Sequence, residues 1–165
     1  MPRSATILLV EDNSDDVLLI RRAFKKLELP AQIVAVANGE AAVQYLYREY
    51  QIHHSLPKLI LLDLYMPQMD GFQFIQWVRE QPEFRHLPVV VLTGSAFSPD
   101  VKRAYQLGAN SFLVKPNDVT ELTNTLKELI GFWFPRQQSA PTPAPSQLHP
   151  TPRPRDEAGS HQMVA

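Results

Sequence analysis

KLILLDLYMPQMDGF, residues Lys58 to Phe72, joins an uninterrupted apolar run, Leu59 to Leu62, directly to an ionisable residue, Asp63. A carboxylate buried without a partner costs on the order of several kcal/mol and takes up a proton sooner than stay charged. The juxtaposition is physically sensible if Leu59 to Leu62 is a strand covered on both faces and Asp63 stands at its mouth.

Three more runs share its character: ILLV (Ile7 to Val10), IVAV (Ile33 to Val36) and VVVL (Val89 to Leu92), with SFLV (Ser111 to Val114) as a fifth. Continuous rather than alternating apolarity marks strands buried on both faces, as in a parallel sheet. Helical spacing fills the gaps. Val17, Ile20, Phe24 and Leu27 share one face behind the cap candidates Asn13 and Ser14, and Leu122, Leu126, Leu129 and Trp133 share one behind Asn117 and Asp118. Glu40 to Tyr50, Gln73 to Glu80 and Pro99 to Leu107 carry weaker helical patterns, with Gly71 just before the second and Pro99 a good first-turn residue of the third. The spacing predicts five strands alternating with five helices in an open α/β sheet.

At 165 residues and 44% hydrophobic content, the chain has room for one ordinary domain and an extra segment. A formal net charge of -1 provides no field to gather nucleic acid or anionic lipid. The absence of cysteine excludes disulfides, thiolate nucleophiles and cysteine-based zinc sites, and suits a reducing compartment. Ile7 to Val10 is too short for a signal-peptide core, and nothing approaches a membrane span, so a soluble cytoplasmic protein is expected. Seven of the fifteen prolines fall from Pro135 onward, among Ser, Thr, Gln and Ala. Such a composition cannot bury enough apolar surface to fold, so residues 1–134 are expected to form the domain and Pro135 to Ala165 a disordered tail. Arg136, Arg153, Arg155 and the PTPAP stretch leave a docking motif as a weaker reading of that tail beside a solvated linker.

The strand ends carry the chemistry. Glu11 and Asp12 follow the first strand, Asp63 the third, Thr93 the fourth and Lys115 the fifth. In open α/β sheets the ligand site lies beyond the carboxyl ends of the strands, where strand order switches. One polar strand end is an ordinary way to leave a sheet; four together, all of types that phosphoryl chemistry needs, are not. Three carboxylates offset by one lysine call for a hard divalent cation with oxygen ligands, and magnesium typically takes one or two carboxylates and keeps a position for a phosphate oxygen. Asp63 then serves as a carboxylate nucleophile forming an aspartyl phosphate, while Thr93 and Lys115 neutralise phosphoryl oxygens. Gly94, directly after Thr93, would let a backbone N–H approach the phosphoryl group, or is a plain loop glycine.

LLVEDNSDD, LILLDLYMPQMDGF, VVVLTGS and ANSFLVKP, in this order and spacing, resemble the receiver domain of two-component response regulators over about Thr6 to Trp133. The resemblance implies a flavodoxin-like, doubly wound five-stranded parallel sheet of order 2-1-3-4-5. It implies Asp63 as phosphoacceptor, with Thr93 and Lys115 completing the catalytic set, and Mg2+ held by Glu11, Asp12, Asp63 and the backbone carbonyl of Tyr65. It implies a cis bond between Lys115 and Pro116, and a switch made of Thr93 and the aromatic position on the fifth strand, which is Phe112 here. VEDNSDDVLLIRRAF, YREYQIHHSLPK and GFWF are most similar to the small regulators associated with cyanobacterial and bacterial phytochromes. The expected partners are therefore a sensor histidine kinase, with a phytochrome as one candidate, an unknown downstream protein and a second copy of the chain. The homodimer would form through the fourth helix, fifth strand and fifth helix, where Tyr105 and Phe132 to Phe134 supply apolar anchors. No DNA-binding or catalytic domain is expected, and no enzymatic turnover beyond self-phosphorylation and dephosphorylation.

Two other readings compete. A flavodoxin-like cofactor binder needs a Ser/Thr/Gly-rich phosphate loop after the first strand, and EDNSDD is acidic. A phosphatase of the haloacid-dehalogenase type places a second aspartate two residues after its nucleophile, where this chain has Tyr65. No GxxxxGK[ST] motif is present for taking phosphate from ATP. His53 and His54, which tempt as a metal or relay pair, are adjacent and so point apart, and like His86 they read as loop histidines.

Overall fold

The computed structural model describes residues 4–135. Five strands, β1 (Ala5–Val10), β2 (Ala31–Val36), β3 (Leu59–Leu62), β4 (Val89–Thr93) and β5 (Ser111–Val114), alternate with five helices, α1 (Ser14–Lys26), α2 (Gly39–Arg48), α3 (Gly71–Glu80), α4 (Ser98–Leu107) and α5 (Val119–Trp133). All pairings are parallel and the order is β2-β1-β3-β4-β5, as the resemblance implies. β1 and β2 begin at Ala5 and Ala31 rather than Ile7 and Ile33, because Ala5 pairs with Ala31 and Thr6 with Gln32, carrying the ladder past the apolar core.

The alternation of side chains along each strand explains the unbroken apolar runs. Ile7, Leu9, Leu59, Leu61, Val90 and Leu92 pack on one face with Ile20 and Phe24 of α1 and Leu122 and Leu126 of α5. Leu8, Val10, Ile60, Leu62, Val89 and Val91 pack on the other with Leu46 of α2, Phe74 of α3 and Ala104 of α4. Each such buried Val, Leu, Ile or Phe side chain stabilises the fold by roughly 1.5–3 kcal/mol. A polar residue therefore first becomes affordable at the strand mouths.

Local chemistry sets the helix starts. Asn13 Oδ1 accepts from the Asp15 and Asp16 amides and caps α1, and Asp118 accepts from Thr120 N and caps α5. At α3 the cap is Asp70, bonded reciprocally with Gln73, a box that the sequence reading passes over in favour of Gly71. Gly71 has a different role. A Cβ there would stand 2.4 Å from Asp63 O and 2.7 Å from Leu64 Cα. The loop from β3 thus folds back on the backbone of Asp63 itself, closed by Gly71 N donating to Leu64 O at 2.8 Å.

The helix expected over Glu40 to Tyr50 ends at Arg48, and Glu49–His53 forms a wider π-helical turn that closes at His54 with φ 49°. Tyr47 and Tyr50 both set an edge on Phe84, at 5.4 and 5.8 Å between ring centroids. Tertiary aromatic contacts here take precedence over continued α-helix. Among the described residues, no helix is long and apolar enough to cross a membrane. Apart from Pro135, the segment expected to be a disordered tail lies outside the described residues.

Candidate functional site

Helices α1 and α5 lie on one face of the sheet and α2, α3 and α4 on the other, so the winding reverses between β1 and β3. A cleft of about 510 Å3 opens beyond the carboxyl ends of the strands. Glu11, Asp12, Asp63, Tyr65, Thr93, Gly94 and Lys115 all line it. The structure thus brings together every site residue expected from sequence except Phe112.

Backbone bonds that continue the ladders hold these residues in place: Glu11 N donates to Val36 O at 3.0 Å, Asp63 N to Val10 O at 2.9 Å, and Lys115 N to Thr93 O at 2.7 Å. The carboxylates of Glu11, Asp12 and Asp63 offer ligand oxygens that all lie within 4.8 Å of one another. Three hard oxygen donors at that spacing fit a hard divalent cation. Glu11 and Thr93 are only 3% and 2% exposed and Asp63 9%, whereas Asp12 is open to solvent. Asp63 Oδ1 accepts from Leu64 N at 2.9 Å, which fixes its carboxylate orientation.

Lys115 does not bond to Asp63. Its Nζ donates to Glu11 Oε2 at 2.5 Å and to Asp16 Oδ2 at 2.8 Å. Burial pushes the Glu11 carboxyl up to about 7; the Lys115 hydrogen bond opposes this and the nearby Asp63 charge adds to it. Burial alone would lower the Lys115 ammonium, but its hydrogen bonds to Asp16 and Glu11 and the charge of Asp63 outweigh it and leave the pKa raised. Asp16 is a site neighbour that the sequence reading did not single out.

The Lys115–Pro116 bond is trans, since no cis peptide occurs among the described residues. This corrects the cis bond that the resemblance implied. Trans is intrinsically favoured by about 0.5–1 kcal/mol, and the lysine reaches its two carboxylates from a backbone already fixed on Thr93 O.

The Tyr65 hydroxyl donates to Asp100 in the first turn of α4, a bond that holds the phenol pKa above its ordinary range. Its ring sets an edge on Phe72, which also carries the Arg103 guanidinium 4.2 Å above its face. The β3–α3 loop is therefore tied to α4. Phe112, the expected switch aromatic, sits half-buried against the α2–α4 side of the core, away from the cleft. Its amide donates to the Tyr105 hydroxyl at 3.1 Å, so a hydroxyl does reach β5, but from α4. His53 and His54 are exposed at the end of the π-helical turn.

A parallel sheet wound at β1 and β3, with clustered carboxylates, a threonine and a lysine at the switch point, is the arrangement of a receiver. The family model of the response regulator receiver domain matches residues 7–127, and the chain belongs to that family. Among curated relatives it is similar to the probable methanogenesis regulatory protein FilR2 of Methanothrix harundinacea, 39% identical over 138 residues, 84% of this chain and 88% of the relative. Among solved structures it is similar to the phosphorylated cyanobacterial phytochrome response regulator RcpA, with a TM-score of 0.71 and 35% identity over 78% of this chain and 93% of that one. The Mn(2+)-bound form of response regulator Rcp1 gives a TM-score of 0.70 and 31% identity over 81% and 97% of the two chains. The chain is a response regulator receiver, and its relatives include phytochrome response regulators.

Proposed function

We propose that Asp63 accepts a phosphoryl group from a phosphohistidine of a sensor histidine kinase, with a phytochrome as the kinase that the relatives favour. The observation that carries this reading is the cluster of Glu11, Asp12 and Asp63 within 4.8 Å, in a cleft that Thr93 and Lys115 also line. A carboxylate oxygen of Asp63 attacks phosphorus, the P–N bond breaks, and the bonding pair leaves with the imidazole nitrogen. Thr93 donates its hydroxyl to one phosphoryl oxygen and Lys115 its ammonium to another. Glu11, Asp12, Asp63 and the backbone carbonyl of Tyr65 would hold Mg2+, which when bound offsets the charge of the carboxylates and of the incoming phosphoryl group. The chain turns over no separate substrate and acts in the cytoplasm.

Output follows from the same geometry. Thr93 moving toward the phosphoryl group leaves space behind it, Phe112 turns to fill that space, and the α4, β5 and α5 surface repacks. Phe97, Tyr105, Val114 and Phe132 are exposed there, at 59%, 48%, 42% and 74%. They give this surface apolar anchors for a second copy of the chain and for a downstream protein.

Acetyl phosphate with Mg2+ tests the chemistry. Wild type should take up one phosphoryl group per chain. Omitting the metal or replacing Asp63 (Asp63→Asn) should abolish uptake, and full labelling of that variant would refute the assignment.

A further inference from the structure

Lys115 is held between two carboxylates of unequal rigidity. Glu11, on one side, has a side chain only 1% exposed, and its second oxygen accepts from Asn13 N at 3.1 Å, so it cannot turn without breaking two bonds. Asp16, on the other, is 34% exposed and can be hydrated at little cost if it lets go. The Asp16 backbone is set by the α1 cap, where its amide donates to Asn13 Oδ1 at 3.1 Å. The 13% exposure of the Lys115 side chain leaves the ammonium little access to bulk water.

We propose that Asp16 is a positioning residue that draws the Lys115 ammonium to the α1 side of the cleft and thereby limits how tightly the cleft holds a phosphoryl group. The inference rests on Asp63 as acceptor and Lys115 as its phosphoryl partner. An ammonium has three donors, and two are engaged at 2.5 and 2.8 Å. The third is free for a phosphoryl oxygen, and as the ammonium moves toward that oxygen the bond to Asp16, the more exposed of its two partners, is the one that lengthens. The charge of Asp16 acts in the same direction, because a further carboxylate at the rim repels a dianionic phosphoryl group. Competition and repulsion therefore have one sign for an anion and the opposite sign for a divalent cation, which gains from every nearby carboxylate.

That split is what a merely structural role for Asp16 would not produce. Beryllofluoride binding to the full chain at saturating Mg2+ can be followed by fluorine NMR, with Mg2+ affinity measured separately by calorimetry. Asp16→Asn should bind beryllofluoride roughly five-fold more tightly than wild type, as expected for one partly screened unit charge. Its Mg2+ affinity should be no tighter than wild type, and Asp16→Glu should return beryllofluoride affinity toward the wild-type value. Unchanged or weaker beryllofluoride binding by Asp16→Asn would overturn the inference, as would tightening of both ligands together. If Asp63→Asn binds beryllofluoride as wild type does, the acceptor assignment falls, and this inference with it.

Discussion

Glu11 is the residue at which folding and chemistry pull in opposite directions. Burial raises its carboxyl from 4.5 to about 7, so the folded metal-free chain holds this proton more tightly than the unfolded chain does. The resulting stability is fully present below about pH 4.5 and is lost as pH rises through about 7. A divalent cation needs the same carboxylate bare, so protons and metal compete. Without metal, wild type should therefore gain stability on acidification from about pH 8 to pH 5 relative to Glu11→Gln, which cannot titrate. Thermal melts of both proteins across that range check this, and parallel pH profiles would contradict it. Glu11, Asp63, Thr93 and Lys115 are legible in sequence because each directly follows an apolar strand run, and Asp12 because it comes next after Glu11. Asp16 is not, because an acid in the first turn of a helix already has an ordinary reason to be there, the helix dipole.

The elements are held in register by contacts that no local pattern announces. Arg79, in the last turn of α3, donates to the carbonyls of Gly108, Arg85 and Leu87 and to Asn110 Oδ1, at 2.7 to 3.0 Å. Asn110 Oδ1 also accepts from Val89 N at 2.8 Å, so one fork ties α3 to the starts of β4 and β5. Lysine keeps the charge but not the fork, and charge-assisted bonds contribute about 1.5–3 kcal/mol each. Arg79→Lys should cost about 2–4 kcal/mol in urea unfolding while leaving metal affinity unchanged, since the contacts lie at the end of the sheet opposite the cleft. A loss under about 1 kcal/mol would show that the network is dispensable. In sequence, Arg79 is only a basic residue near a helix end. The π-helical turn at Glu49–His53 is hidden for a similar reason, because the Tyr47, Tyr50 and Phe84 contacts that accompany it join residues far apart in the chain.

For the whole molecule, alternation of apolar runs with helical periods is enough to indicate an open parallel sheet, because only burial on both faces makes LILL and VVVL continuous. Strand order is different. Nothing in periodicity places β1 between β2 and β3; the receiver motifs imply it, and the pairing of Ile7 with both Ile33 and Leu59 realises it. That order puts Asp63 beside Glu11 rather than at an unrelated edge. The exposed Phe97, Tyr105 and Phe132 predict self-association strengthened by phosphorylation. Sedimentation with and without beryllofluoride should show a shift toward dimer, and a monomer in both states at tens of micromolar would leave partner binding as the sole output. The central claim, that the switch-point cluster exists to place a phosphoryl group on Asp63, is tested most directly by trapping. Borohydride reduction of the acetyl-phosphate-treated chain converts an acyl phosphate to the alcohol, and peptide mass spectrometry then locates it. The account predicts homoserine at position 63, dependent on Mg2+; the alcohol at another aspartate or at a glutamate, or none with Mg2+ present, would contradict it.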